Sequence, residues 1–390
     1  MQEKGTEQLH SPKRERMANL ELLRLVSMLL VVVLHFLGKG GGLTPLTEER
    51  LGASGYLAWD MEALAIVAVN VYMLISGYFL IESSFKAKRL LQLLLQVWFY
   101  SIGIGLIAAA FGYLPEGGFG IHYLLMLFFP ISMNHYWFMT AYVFMYVFTP
   151  LISAGIRRLD KKQLQFMIAV LVLCFSVVKS LVPGRLEADM QGYDCIWYLC
   201  VFVIAAYIRL YGIPFFKNKG RSLLAYLLSA ACIVTVTMAL RLVYLRTGSL
   251  GTMLAVCYNY NHILVLAASV AFFYLFYHIR MKEGAFSRFV CRIAPYTLGV
   301  YLWHEHIALR YEWPQWLYRL TGQPGGALPL FIQTLLAAAA VFSIGILLDM
   351  LRSLCFGILH RLFLFAGPYR RLQGWLDRLV IGVKKDCANE

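Results

Sequence analysis

An arginine and a histidine lie within the first apolar stretch of the sequence, Leu22 to His35. Arg24 and His35 are eleven positions apart, which is close to three helical turns, so both side chains project from one helix face, about 16 Å apart along the axis. An imidazole can act as a general base or nucleophile near neutral pH, and a guanidinium can bind phosphate. Arg24 alone could instead extend to lipid headgroups. Ionisable groups in membrane helices usually have a function, which is the interpretation favoured for His35.

The elements that carry this pair are membrane helices. The chain has 390 residues, of which 60% are hydrophobic and only 14% charged, and its mean hydropathy is +0.66. This composition excludes an ordinary soluble domain. Apolar windows of about 20 residues predict an all-α bundle of ten transmembrane helices. These windows cover residues 19–38, 62–82, 89–113, 135–156, 164–182, 195–212, 222–243, 254–280, 289–309 and 327–350.

The net charge of +14 follows from the distribution of basic residues across the membrane. With the N-terminus inside, 26 Lys and Arg residues lie in cytoplasmic segments and 8 in external ones, while Arg24 lies within a span. This asymmetry is the positive-inside rule, so it needs no nucleic-acid partner. It predicts that both termini are cytoplasmic, that Arg24 is at the cytoplasmic end of the first helix, and that His35 lies deeper in the membrane.

The predicted organisation is a single bundle with polar ends. We expect a cytoplasmic polar tail over residues 1–18, the transmembrane bundle over 19–351, and a basic, amphipathic cytoplasmic segment over 352–390. Residues 39–60 form an external loop, and the apolar run 121–131 is too short to span the membrane. The eight cysteines show neither a disulfide framework nor metal-ligand spacing.

The second predicted span contains Asn70 and Ser76 and is followed by Lys86, Lys88 and Arg89. In the predicted topology this basic cluster emerges on the same side as Arg24, where the two can form one anion site. The cluster is also an ordinary positive-inside flank. Asn70 and Ser76 have a second interpretation too, as hydrogen-bond partners between helices.

Further polar and aromatic residues lie at the outer ends of later spans. Trp137 lies at the outer end of the fourth span, where it fits an aromatic belt. His304, Glu305 and His306 lie near the outer end of the ninth span, and Glu305 either raises the basicity of an imidazole or is simply solvated. His304 and His306 fall about 200° apart on a helix, so they do not converge as zinc ligands do. The sequence therefore predicts no metal site.

Taken in order, these fragments resemble the membrane-bound acyltransferase family 3, over about residues 18 to 350. Arg24 and His35 match its Arg-x10-His motif, and residues 75–80 with 85–89 match its Ser-Gly segment and the basic residues after it. Residues 136–138 and 301–304 are similar to its later aromatic and histidine signatures. The basic pair usually written with two arginines reads Lys86 and Arg89 here, and a lysine ammonium does not make the bidentate phosphate contact of a guanidinium.

The resemblance implies an O-acyltransferase of the bacterial cytoplasmic membrane that uses cytoplasmic acyl-CoA, acetyl-CoA by family default, with no tightly bound cofactor. It implies a carbohydrate acceptor that is lipid-linked or at the cell surface. The expected catalytic residues are His35, Arg24 and His304, and the expected donor-binding residues are Arg24, Lys86, Lys88 and Arg89. Asn70, Ser76, Trp137 and Glu305 are expected to bind the acceptor or support the chemistry.

Two other classes of protein use intramembrane polar groups. A glycan-lipid flippase or secondary transporter is the main alternative, although the sequence lacks the paired broken helices of inverted repeats. A membrane sensor or scaffold would not require Arg24 and His35 to share a helix face. The sequence leaves the acyl group, the acceptor and the oligomeric state open.

Overall fold

The computed structural model describes residues 17–115, 117–182, 190–363 and 367–381, and these residues are almost entirely helical. The expected polar tail therefore lies outside the described residues except for its last two. The α-helices are α1 Ala18–Lys39, α2 Gly52–Ala65, α3 Ala68–Leu80, α4 Ala87–Ala110, α5 Ile121–Phe128, α6 Trp137–Arg158, α7 Lys161–Val172, α8 Val178–Leu181, α9 Cys195–Tyr211, α10 Lys219–Thr247, α11 Ile263–Tyr277, α12 Ala285–Ile293, α13 Thr297–His304, α14 Glu312–Thr321, α15 Ala327–Phe363 and α16 Gly367–Arg378. Two short strands, β1 Phe85–Lys86 and β2 Val380–Ile381, pair antiparallel.

The described chain contains eight helical segments that are long and apolar enough to cross a membrane, and α9 is a shorter apolar helix. The structure thus agrees with a polytopic helical bundle, while the count of ten spans stays a prediction. The second span differs from expectation, because helix already begins at Gly52, inside the predicted external loop. The ninth predicted span is divided into α12, a 3₁₀ turn at Ala294–Tyr296 and α13, since Pro295 has no N–H for a helical hydrogen bond.

The centre of the bundle is formed by α1 and by the broken helix made of α2 and α3. In their most apolar stretches, 67% of the residues of α1 and 78% of those of Gly52–Leu80 are buried, against 22% for α10. Helix α10 is apolar on all sides, which suits a helix that faces lipid. Gly77 lets α3 approach α9 closely, because a Cβ atom there would lie 2.7 Å from Cβ of Ala205.

Helix α15 continues well past the end of the last predicted span at residue 350 and ends at Phe363. The chain then returns to the bundle through α16, in which Leu376 is buried. Strand β2 pairs with β1, and Lys88 forms an ion pair with Asp377. The segment expected to be a separate cytoplasmic part therefore begins as a continuation of a long bundle helix.

Candidate active site

A cavity of about 930 Å³ runs along the face of α1 that carries both Arg24 and His35. Helices α3, α4, α6, α13 and α15 supply the other walls. On α6 the rings of Phe138, Tyr142 and Tyr146 stack in a row, with neighbouring centroids 6.3 and 6.4 Å apart and nearly parallel planes. Arg24 and His35 thus line one continuous cavity, as their spacing on α1 predicts. We call the part near Arg24 the arginine end and the part near His35 the histidine end.

At the histidine end, two residues from α13 and the turn after it contact His35. His35 Nδ1 lies 2.9 Å from Nε2 of His304 and 3.1 Å from a carboxylate oxygen of Glu305. The Lys39 ammonium contacts both oxygens of that carboxylate, and Arg310 lies 3.9 Å from it. The His304 side chain is fully buried and that of Glu305 is almost so. The sequence analysis missed Lys39 and Arg310, although Lys39 lies one helical turn after His35 on the same face.

The hydrogen bonds fix the tautomer of His35. A carboxylate can only accept, so the contact with Glu305 requires a proton on His35 Nδ1. His304 Nδ1 lies 2.5 Å from the carbonyl oxygen of Val300 and must donate to it. His304 Nε2, in the neutral ring, is therefore a second acceptor for the His35 Nδ1 proton. His35 Nε2 has no hydrogen-bond partner within the described chain, and in the neutral imidazole it carries the free lone pair.

Close helix packing brings His304 and Glu305 to this position. Helix α13 lies against α15, where a Cβ atom on Gly345 would be 2.5 Å from Cα of Val300. At its end, Trp313 Nε1 donates to the carbonyl oxygen of His304. Tyr136, beside the cavity wall, donates its hydroxyl to the Leu302 carbonyl. These contacts orient the imidazole and carboxylate toward α1.

His35, His304 and Glu305 also form a group whose side chains could ligate a metal ion. Ligands 2.0–2.1 Å from a tetrahedral zinc ion are roughly 3.3 Å apart, whereas His35 Nδ1 is 2.9 and 3.1 Å from its two neighbours. These are hydrogen-bond distances. The Lys39 ammonium also occupies both Glu305 oxygens. The geometry favours a hydrogen-bonded and ion-paired cluster over a metal centre.

At the arginine end, Arg24 and Arg89 line the cavity together, as the predicted anion site requires. Glu21 accepts a hydrogen bond from Arg24 at 2.6 Å, and Arg89 has no ion pair within the described chain. A third guanidinium, that of Arg352 on α15, also lines this end. The sequence analysis missed Arg352 because it follows the last predicted span. Asp349, an acid three residues before Arg352, was the feature of the sequence that could have identified this arginine.

The structure does not bring three of the predicted site residues to the cavity. Lys86 is exposed in β1, and Lys88 is held by Asp377. Asn70 is fully buried, where it donates to the Tyr260 carbonyl and accepts from the Trp197 indole N–H. Asn70 thus connects α3 to α9 and to the loop before α11. This is the second interpretation given above, that of a hydrogen-bond partner between parts of the bundle.

Ser76 and Trp137 do line the cavity. Trp137 also contacts two tyrosines outside it, with ring centroids 4.5 Å from Tyr193 and 5.6 Å from Tyr260. Tyr193 is 40% exposed. An aromatic surface therefore extends from the cavity wall to the exterior of the protein.

The remaining histidines near this region have structural hydrogen bonds. His306 Nε2 donates to the Ser101 carbonyl, and its Nδ1 accepts from the backbone N–H of Ala308. His135 Nε2 accepts from the N–H of Ile307. Because both nitrogens of His306 are occupied, it differs from His35, whose Nε2 has no partner among the residues that the structure describes.

Comparison with known proteins identifies the family of the chain. Residues 17–350 match the sequence model of the third acyltransferase family, described as an acyltransferase domain. No curated protein and no solved structure matches the chain. The match covers the whole cavity except the part of α15 after residue 350, and it agrees with the resemblance found from the motifs. The chain is a membrane protein and belongs to acyltransferase family 3.

Proposed function

We propose that this protein transfers a short acyl group, acetyl in the first instance, from acyl-CoA to a hydroxyl group of a carbohydrate acceptor. The observation that carries the proposal is the single cavity that joins three guanidinium groups to a histidine with an unpartnered Nε2. The guanidinium groups suit the phosphates of CoA. The pantetheine arm would extend along α1, beside the aromatic row of α6, and bring the thioester to His35.

In this proposal His35 acts as a general base. Its Nε2 takes the proton of the acceptor hydroxyl, and the oxygen attacks the thioester carbonyl carbon. The carbon–sulfur bond breaks, and the leaving CoA thiolate takes the proton from the imidazolium. Glu305, 3.1 Å from Nδ1, stabilises the imidazolium, and Lys39 holds the carboxylate in place. General-base catalysis of this kind contributes about 10²- to 10⁴-fold in rate.

The same nitrogen also suits a role as transient acyl carrier. Nε2 would then attack the thioester, CoA would leave as its thiolate, and the acceptor hydroxyl would take the acyl group from the imidazole in a second step. Labelled acetyl-CoA without acceptor separates the two routes. Label retained on the wild-type protein and absent from His35→Ala supports the carrier, and its absence from both supports the general base.

The acceptor is proposed to reach His35 from the side of Trp137. The contacts of Trp137 with Tyr193 and Tyr260 support this, because aromatic faces offer a large apolar contact surface on which the C–H face of a sugar ring can pack. The positive-inside distribution predicts that the arginine end is cytoplasmic and that Trp137 lies toward the exterior. A bacterial cytoplasmic membrane with an exported or lipid-linked glycan is the proposed setting.

The test is thioester consumption by the purified protein in detergent, measured with acetyl-CoA and a panel of glycan acceptors. His35→Ala should lower kcat by at least 10²-fold. His122→Gln is the matched control, because His122 is an exposed histidine on α5 outside the cavity, and it should keep wild-type activity. Turnover that does not depend on His35 would overturn the catalytic assignment. Glycan transport without acyl transfer would establish the flippase or transporter instead.

A further inference from the structure

Arg352 stands out at the arginine end of the cavity because it lies beyond the segment that matches the family. The match ends at residue 350, yet α15 continues through it without interruption. Arg352 lines the same end of the cavity as Arg24 and Arg89. Three arginines, from α1, α4 and α15, thus line one cavity.

A buried carboxylate holds Arg352 in a fixed orientation. Asp349 accepts from Arg352 Nε at 2.6 Å and from Nη2 at 3.0 Å. Its side chain is fully buried, and it also accepts from the Tyr100 hydroxyl at 3.0 Å and from the Gln96 amide at 2.9 Å. A buried charge is stable only when it is paired and hydrogen-bonded in this way.

The surrounding packing leaves no freedom for this network to shift. A Cβ atom on Gly299 of α13 would lie 2.3 Å from Cβ of Asp349 and 2.6 Å from the Tyr100 hydroxyl. Any side chain at position 299 would therefore displace the carboxylate. The same helix that carries His304 sets the position of the acid that orients Arg352.

The hydrogen-bond count shows what Arg352 still offers. A guanidinium has five N–H donors, and the pair with Asp349 uses one on Nε and one on Nη2. The Tyr100 hydroxyl also lies within reach of the guanidinium, which leaves at least two donors on a side chain that lines the cavity. Asp349 offsets the charge of Arg352, so the contribution of Arg352 is a set of donors whose direction is fixed before the ligand arrives.

The number of guanidinium groups indicates the class of ligand. One phosphate is satisfied by one or two bidentate guanidinium contacts. Three arginines on three helices, of which Arg24 and Arg352 are each oriented by an acid, suit a ligand with several phosphate groups. A nucleotide-linked thioester has this chemistry, whereas an acyl phosphate does not.

We propose, on the basis of the proposed function, that Arg352 is a donor-binding residue for the phosphates of the nucleotide and that Asp349 is its positioning residue. Arg352 forms a polyphosphate site together with Arg24 and Arg89. In this site Arg352 supplies the contacts that were expected from Lys86 and Lys88. Arg352 acts on donor affinity and not on the chemical step.

The experiment compares three donors that share a thioester but differ in phosphate content: acetyl-CoA, acetyl-dephospho-CoA and acetyl-pantetheine. Arg352→Gln should raise KM for acetyl-CoA by about 10- to 100-fold, the effect of losing a hydrogen bond between charged groups, with kcat within about twofold. Its kcat/KM for acetyl-pantetheine should equal that of the wild type. Arg158→Gln, which removes an exposed guanidinium outside the cavity, is the control and should leave KM unchanged for all three donors.

The role of Asp349 is tested in the same assay. Asp349→Asn should raise KM for acetyl-CoA, and adding it to Arg352→Gln should produce no further rise, since Asp349 acts through Arg352. An unchanged KM in Arg352→Gln, or an equal loss with acetyl-pantetheine, would overturn the proposal. Equilibrium dialysis measures the binding of labelled CoA to the same site without turnover. If the wild type consumes no donor, the proposed function fails, and dialysis of wild type against Arg352→Gln still decides whether Arg352 binds CoA.

Discussion

At the scale of single residues, the decisive contact is the one between His35 Nδ1 and two acceptors. In a serine-protease triad one carboxylate holds the tautomer, and its amide replacement lowers kcat about 10⁴-fold because the tautomer is lost. Here His304 Nε2 accepts the His35 Nδ1 proton at 2.9 Å, while a carboxylate oxygen of Glu305 lies 3.1 Å from the same nitrogen. The imidazole orientation therefore does not depend on the carboxylate alone.

We predict that Glu305→Gln lowers kcat by roughly 10- to 100-fold and leaves the donor KM near its wild-type value. The variant loses the negative charge that stabilises the imidazolium, while His304 keeps Nε2 as the basic nitrogen. Steady-state kinetics with acetyl-CoA measures this. Glu312→Gln, on α14 outside the cavity, is the control. A loss as large as that of His35→Ala would contradict the shared role of His304, and full activity would contradict any role of Glu305.

At the scale of elements, glycines determine how closely the cavity helices approach one another. Gly345 and Gly299 bring α13 against α15, so that Gly299 abuts Asp349 of α15 and His304, at the end of α13, contacts His35. Gly77 likewise allows α3 to pack closely against α9. Small residues at such contacts are the usual means of close helix packing in membranes, so the spacing of the cavity walls depends on them.

We predict that Gly77→Ala lowers the midpoint of thermal unfolding of the purified protein, with a cost of about 1–3 kcal/mol for overpacking. Its new Cβ would lie 2.7 Å from Ala205 Cβ and 3.2 Å from the backbone Cα of Phe202. The matched control is Gly103→Ala in α4, where a Cβ atom has no neighbour within 4 Å. Alanine there should be neutral or stabilise the helix by about 0.5–1 kcal/mol. Equal midpoints for the two variants would refute the packing argument.

At the scale of the whole molecule, the positive-inside rule predicts a direction for the cavity across the membrane. Strand β1 and Arg89 lie at one end of α4, next to the arginine end of the cavity. The loop before α2 lies at the opposite end of α1, after Lys39, and Arg241 of α10 donates to its Glu48 and Glu49 carbonyls. The predicted orientation puts β1 in the cytoplasm, where acyl-CoA is found.

We predict that a membrane-impermeant maleimide labels Arg50→Cys in intact cells and labels Lys86→Cys only after the membrane is permeabilised. Both positions are exposed, and both variants are made in a background without the eight native cysteines. Mass shift of the labelled protein on a gel is the measurement. The reverse pattern would place the arginine end outside and would rule out cytoplasmic acyl-CoA as the donor.

Much of the candidate site could be predicted from local sequence. Helical periodicity alone put Arg24 and His35 on one face of α1, and both line the cavity. The basic cluster after the second span was expected to bind the donor, but of its three members only Arg89 lines the cavity. Lys86 and Lys88 could not be separated from Arg89 beforehand, because the direction of each side chain depends on β1 and on Asp377 of a distant helix.

The sequence by itself determined the class of protein, the apolar helices, the shared face of Arg24 and His35, and the family. These properties depend on composition and on the spacing of residues within one element, which the backbone geometry of a helix converts directly into position. Only the tertiary structure decided which groups meet. His35 and His304 are 269 residues apart in the chain, and Arg24 and Arg352 belong to its first and last long helices. Such contacts arise from how helices pack across the whole bundle, and no pattern within a single helix specifies them.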